Sequence, residues 1–174
     1  MVGLPGAGKT TRARQIEVER QAVRLTPDDW IMPLFGGPEP EDKRDVLEGR
    51  FVWLALRSLC LGVNVVLDFG VWGRDERMAL RALAASVGAS CELVYLEIEP
   101  DEQKRRTDQR FRADPDATFE MSGDELERSI LLFQAPDRGE LDAGEIDPPP
   151  PGYANWRAWA AARWPTSLGD ESVD

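Results

Sequence analysis

Polar and apolar positions change their period several times along the chain, and each change marks an element. Residues 10–22 (TTRARQIEVERQA) read as a helix, and residues 22–25 as a short alternating run. Thr26-Pro27-Asp28-Asp29 has the form of a strand end running into a capped helical turn, with a short helix over 28–35. Residues 36–42 (GGPEPED) predict a loop. From 42 to 61 the only breaker is Gly49, and apolar residues fall on more than one face, which predicts a largely buried helix. Asn64-Val-Val-Leu-Asp68 lies between Gly62 and Gly70 and suits a strand buried on both faces. A helix follows over 76–87 with Gly88 at its end, then a strand over 91–98 (CELVYLEI).

The second half is more polar. Residues 101–112 form an arginine-rich helix, and 113–118 around Pro115 form a loop. Ser122 with Glu125 has capping-box spacing for a helix over 123–133. An acidic stretch, 136–147, runs into four prolines at 148–151. An amphipathic helix over 153–164 offers Trp156, Trp159 and Trp164 as a docking face, and 166–174 reads as a frayed end. Strands alternating with helices imply an α/β sandwich around a mostly parallel sheet. The division expected is 1–147 for one domain, then 148–174 for a proline-rich linker, docking helix and tail.

Gly3-Leu4-Pro5-Gly6-Ala7-Gly8-Lys9-Thr10 matches G-x-x-x-x-G-K-[ST]. Glycines let backbone N–H groups turn inward around a phosphate, and the next helix adds its positive end. The loop residues Gly3, Pro5, Gly6, Ala7, Gly8, Lys9, Thr10 and Thr11 are the nucleotide-binding set. Lys9 would reach the β- and γ-phosphates, and the Thr10 hydroxyl would ligate Mg²⁺. The strand that should feed this loop has only Met1-Val2.

Composition narrows the chemistry. The 174 residues are enough for one domain with a real core, and 42% hydrophobic with 30% charged residues is an ordinary globular balance. The absence of histidine removes Ser-His-Asp and Cys-His catalysis and nearly all zinc enzymes. Cys60 and Cys91 sit in apolar runs and read as buried, reduced thiols. A net charge of −11 disfavours a grip on long nucleic acid. No apolar stretch reaches membrane-spanning length and no signal-peptide pattern opens the chain, so a cytoplasmic protein is expected.

GLPGAGKTT, then TPDDW, VVLDFGVW and RRTDQR, resembles the small P-loop kinases that include chloramphenicol phosphotransferase, zeta toxins and polynucleotide kinase domains. The resemblance covers residues 1 to about 140. It implies a three-layer P-loop NTPase sandwich with a four- or five-stranded, mostly parallel sheet and an arginine-bearing helical lid, a kinase-like domain over 1–147, ATP and Mg²⁺ as cofactors, and a catalytic set of Lys9, Asp28, Arg106 and Arg110. In that group the aspartate activates the acceptor hydroxyl; here Asp28 takes the role with Asp29 as its competitor, while capping of the short helix is the structural alternative. Polynucleotide kinases carry an arginine three residues later, where this chain has Ile31. Asp68 ends an apolar run as a metal-holding carboxylate does, or else caps the turn at Phe69-Gly70. Arg106 and Arg110 share a face of the lid helix, where guanidinium groups reach a transferred phosphoryl group or form a solvated face with Asp101, Glu102 and Asp108. Trp30, Phe69 and Trp72 follow strand ends and are candidates for the acceptor pocket.

The expected activity is transfer of the ATP γ-phosphate to a hydroxyl of a small molecule, such as an antibiotic, nucleoside or sugar. A nucleotide-dependent switch read by a partner, a nucleic-acid-end kinase and a nucleotide-sugar kinase are the rival readings. The partners expected are a nucleotide and a small acceptor, without long nucleic acid or a membrane.

Overall fold

The computed structural model of the chain describes residues 1–36, 43–113 and 121–168. All but the first residue of the loops expected at 36–42 and 113–118, and the end of the chain from 169, lie outside the described residues.

In chain order the elements are α1 (Lys9–Arg20), β1 (Ala22–Leu25), α2 (Pro27–Phe35), α3 (Lys43–Cys60), β2 (Asn64–Leu67), α4 (Arg74–Ser86), α5 (Pro100–Ala113), α6 (Gly123–Leu132), α7 (Arg138–Leu141) and α8 (Trp156–Arg163). β1 and β2 pair in parallel, with Ala22 opposite Asn64 and Leu25 opposite Leu67. The Met1 amino group donates to the Leu67 carbonyl at 2.7 Å. Val2 bridges Tyr95 in parallel: its N–H donates to Val94 O and its carbonyl accepts from Leu96 N–H. The layer therefore runs β1, β2, residues 1–2, residues 94–96.

The expected four- or five-stranded sheet is corrected to two strands and one isolated bridge among the described residues. Residues 91–98 carry the apolar run of a strand, Leu93 to Leu96, but the segment that would pair with them contributes only Val2. A cavity of 310 Å³ lies between residues 90–94 and β2 instead. Parallel pairing needs a neighbour along its length, and local alternation does not supply one.

α1 packs on both strands and α3 packs on β2. α3 is buried on two sides, as its all-round apolarity predicts. Leu47, Phe51 and Ala55, four apart, join Leu25 and Ile31 in one cluster. Val52 and Leu56 join Met78, Ala79 and Leu83 of α4 and Trp156, Ala160 and Trp164 of α8 in the other. Gly49 is required by close approach: a Cβ there would stand 2.7 Å from the Thr166 hydroxyl and 3.0 Å from the Thr166 and Ser167 nitrogens.

The helix ends follow local chemistry. Ser122 and Glu125 form the expected capping box of α6. Gly88, at φ 74°, closes α4 just past its last turn, with Ala89 N–H returning to Ala84 O. α8 begins at Trp156 instead of 153, because the Asn155 carboxamide accepts from Ala158 N–H. Residues 166–168 are not frayed: Ser167 is fully buried, and the Thr166 hydroxyl donates to Val46 O at 2.6 Å. Both cysteines depart from expectation, Cys60 being exposed at the end of α3 and Cys91 half-buried.

Candidate active site

Three segments of the layer end at one edge. Val2 leads into the glycine loop, β1 into Thr26-Pro27-Asp28, and β2 into Asp68. This carboxyl edge is where open α/β sheets hold ligands, because loops and helix N-termini converge there. A cavity of about 920 Å³ opens at this point.

The loop turns through Gly6 and Gly8, at φ 80° and 89°. Gly8 is left-handed at the N-cap of α1, a conformation most side chains resist, so the chain enters the helix with its first N–H groups facing the cavity end. Pro5, Gly6, Gly8, Lys9, Thr10 and Thr11 line the cavity; Gly3 and Ala7 support the turn from behind without lining it. Lys9 Nζ donates to Leu4 O at 2.9 Å, inside its own loop. Burial pulls its ammonium down to about 8, against the pull of Asp68 and Asp28.

Asp68 is buried, with its side chain 1% exposed. Its Oδ2 accepts from the Thr26 hydroxyl at 3.2 Å, and Arg24 stands 3.9 Å away. Its Oδ1 has no hydrogen-bond partner among the described residues. Burial raises its pKa, opposed by Thr10, the Met1 ammonium and Lys9. A buried carboxylate oxygen without a donor beside a threonine hydroxyl suits Mg²⁺, a hard cation that takes oxygen ligands and keeps part of its water shell. Thr10 and Asp68 thus fit the metal that the loop implies.

The two neighbouring aspartates of α2 diverge. Asp28 lines the cavity, with Arg44 at 3.4 Å from its Oδ1. Asp29 is outside the lining residues and is held by Arg24 at 2.6 Å. Helical geometry turns adjacent residues by about 100°, so only one of the pair can face the loop. Arg106 and Arg110 of α5 both line the cavity, and Arg106 Nη1 reaches Gly6 O at 3.4 Å while its Nε holds Glu102 at 2.6 Å. Arg105 pairs with Glu102 at 2.7 Å on the exposed side. Phe69 and Trp72 line the cavity; Trp30 does not, and packs edge-on against Phe51 at 5.3 Å.

Several lining residues were not legible as such. Arg44, Asp45 and Glu48 come from α3, Asp75 and Glu76 from α4, and Trp159, Arg163 and Trp164 from α8. A carboxylate between apolar Leu47 and Phe51 on a largely buried helix, Glu48, is the available signal. Glu48 is buried, accepts from Arg44 at 3.1 Å and from Trp164 Nε1 at 3.3 Å, and burial pushes its carboxyl up to about 7.

Residues 1–136 match an AAA domain family, AAA_33. The chain belongs to that family. It is a P-loop kinase-like family whose members include chloramphenicol phosphotransferase and polynucleotide kinase types. No curated protein matches the chain at a significant level. Membership makes this AAA domain a P-loop nucleotide-binding protein, and the loop, Asp68 and Arg106 and Arg110 of α5 all fall inside the matched span. Residues 137–168, which supply α7 and α8, fall outside it. No helix among the described residues is long and apolar enough to cross a membrane.

Proposed function

We propose that this AAA domain is an ATP- and Mg²⁺-dependent phosphotransferase that moves the γ-phosphate to a hydroxyl of a small molecule. The observation that carries the reading is a single cavity. It contains the phosphate loop, Asp68, Asp28 and both lid arginines, and it continues past them to Trp72, Trp159 and Trp164. A switch protein needs room for nucleotide alone, whereas a transferase needs a second compartment beside the γ-phosphate.

In this reading the loop amides and Lys9 hold the β- and γ-phosphates. Thr10 and Asp68 hold Mg²⁺, which when bound neutralises charge on the phosphate oxygens. Asp28 orients the acceptor hydroxyl and takes its proton as the oxygen bonds to phosphorus. The bond from phosphorus to the β,γ-bridging oxygen breaks, and its electron pair leaves with ADP. Arg106 and Arg110 stabilise the transferring group, whose charge spreads over its equatorial oxygens.

The test is ³¹P NMR with Mg-ATP, alone and with pools of nucleosides, sugars and hydroxylated antibiotics. A new phosphoester signal appearing with ADP supports the reading, and Lys9→Ala and Asp28→Asn should each abolish it. Asp28→Asn should retain nucleotide binding, because its partner is the acceptor. Release of ADP and free phosphate only, whatever the pool, would move the protein to the NTPase or switch class.

A further inference from the structure

Gly70 stands where the chain leaves β2 for the cavity wall. Its φ is 76°, and a Cβ there would lie 3.2 Å from Lys9 Cε, 3.3 Å from Trp72 Nε1 and 3.7 Å from Lys9 Nζ. A side chain at this position would be strained by the backbone and would crowd both neighbours. The glycine thus lets the indole nitrogen of Trp72 come in beside the lysine of the phosphate loop. The two nitrogens are at most about 7 Å apart, the sum of the second and third distances. Two donors that each stand ~2.9 Å from a different oxygen of one phosphoryl group fit within that span. Lys9 and Trp72 both line the main cavity.

The Trp72 indole N–H has no hydrogen-bond partner among the described residues. Two other tryptophans spend theirs inside the protein: Trp156 Nε1 donates to Asp147 O, and Trp164 Nε1 to Glu48. An indole nitrogen only donates, so it serves an acceptor and nothing else. The backbone that carries it is held from several sides. Trp72 O accepts from Gln134 N–H at 3.1 Å and from Arg77 Nη1 at 3.0 Å, while Gln134 Oε1 accepts from Arg74 N–H at 2.7 Å. Arg77 is buried and is fixed in turn by Glu140 at 2.8 Å. A donor fixed before its ligand arrives needs little reorganisation when it binds. Its neutrality also suits the place. Burial already pulls Lys9 toward its uncharged form, and another cation this close would pull it further. The indole adds a directed contact to an anion without that repulsion.

Resting on the phosphotransferase reading above, we infer that the Trp72 indole N–H is a ligand of the ATP γ-phosphate, donating to an oxygen of the group that Lys9 also contacts. It keeps that contact as the phosphoryl group passes to the acceptor. The bonds made and broken are those already given; the indole lends a hydrogen bond and no proton. Trp72 then stands at the boundary between the nucleotide and the acceptor, and it distinguishes a triphosphate from a diphosphate.

The probes are Mg-ADP and Mg-AMPPNP, a triphosphate analogue that resists hydrolysis. Calorimetry reads affinity, and NMR of protein labelled with ¹⁵N-tryptophan reads the indole N–H signals of the six tryptophans. Trp72→Phe keeps an aromatic ring, removes the donor and assigns the Trp72 signal by its loss. In the natural protein that signal should move downfield in the proton dimension with AMPPNP and far less with ADP. Trp72→Phe should bind AMPPNP about tenfold more weakly, as for one hydrogen bond to an anion, with ADP affinity and the thermal midpoint little changed. An unchanged ratio of AMPPNP to ADP affinity in the variant overturns the inference. So does a Trp72 signal that responds equally to both nucleotides or to neither. If the variant does not fold, the absence from the natural protein of any indole signal that separates AMPPNP from ADP overturns it alone. A triphosphate-specific Trp72 shift with no phosphoester from any acceptor pool keeps the indole ligand and sinks the phosphotransferase reading. A phosphoester with Trp72 unmoved does the reverse.

Discussion

Lys9 is a cation kept half-buried in its loop, with Leu4 O as the hydrogen-bond partner of its ammonium. Its pKa of about 8 places its deprotonation within an accessible range. A bound polyphosphate favours the ammonium, so above pH 8 binding must take up a proton, while below pH 8 the ammonium is already formed. The affinity for Mg-ATP should be flat below pH 8 and should weaken above it, approaching tenfold per pH unit. Calorimetry in buffers of different ionisation enthalpy measures the proton uptake directly. Lys9→Arg should lose both effects, since guanidinium does not titrate there. Glu48 gives the opposite case. Its carboxyl is raised from 4.5 to about 7, so the folded state holds a proton that the unfolded state releases between those values. Stability conferred by the protonated form is present at low pH and is lost as pH rises through 7. Relative to Glu48→Gln, the natural protein should lose on the order of 2 kcal/mol between pH 4.5 and 8, read from denaturant unfolding at each pH.

At the scale of elements, the legible features were those with local causes. Breakers and a 3.6-residue period locate α3 and α4, and Ser122 with Glu125 locates α6. The strand expected over 91–98 failed because pairing is decided by a distant neighbour, and that neighbour offers only Val2. α7 escaped because four residues carry no period, although Asp137 and Glu140 have the spacing of the capping box they form. That small helix matters. Glu140, buried, takes Arg77 at 2.8 Å and Arg74 at 3.2 Å, tying the acidic segment to α4. Arg77 is itself 1% exposed. Glu140→Ala would strand a buried guanidinium and should cost about 3–5 kcal/mol by thermal or denaturant unfolding. Replacing Arg77 by Met together with Glu140 by Leu should cost much less, because no charge is then left buried. A single-variant loss under 1 kcal/mol would mean that water reaches Arg77.

For the whole molecule, the glycine loop was readable because its geometry needs particular residue types at fixed spacing, and Asp28 and Asp68 followed from their places at strand ends. The far end of the cavity was not readable, since it is assembled from α3, α4 and α8, which are far apart in sequence. The same assembly makes α8 part of the main core. Trp156 and Trp164 are 7% and 1% exposed, and they pack with Val52, Leu56, Met78, Ala79 and Leu83. Trp156 Nε1 also donates to Asp147 O at 2.7 Å, and Arg163 joins α3 to α4 through Asp45 and Glu76. Removing a buried tryptophan side chain costs about 3–5 kcal/mol, and a domain of this size holds only about 5–15 in total. A chain ending at Asp147 loses both tryptophans and leaves the α3 and α4 faces uncovered. It should therefore lose its cooperative thermal transition and its near-ultraviolet circular dichroism, and bind a hydrophobic dye, while keeping much of its far-ultraviolet signal. Trp164→Phe in the full chain should retain the transition at a lower midpoint, which separates loss of packing from loss of the Glu48 hydrogen bond. Cooperative melting of the shortened chain within a few degrees of the full one would show that residues 1–147 hold their own core and that α8 serves the cavity wall alone.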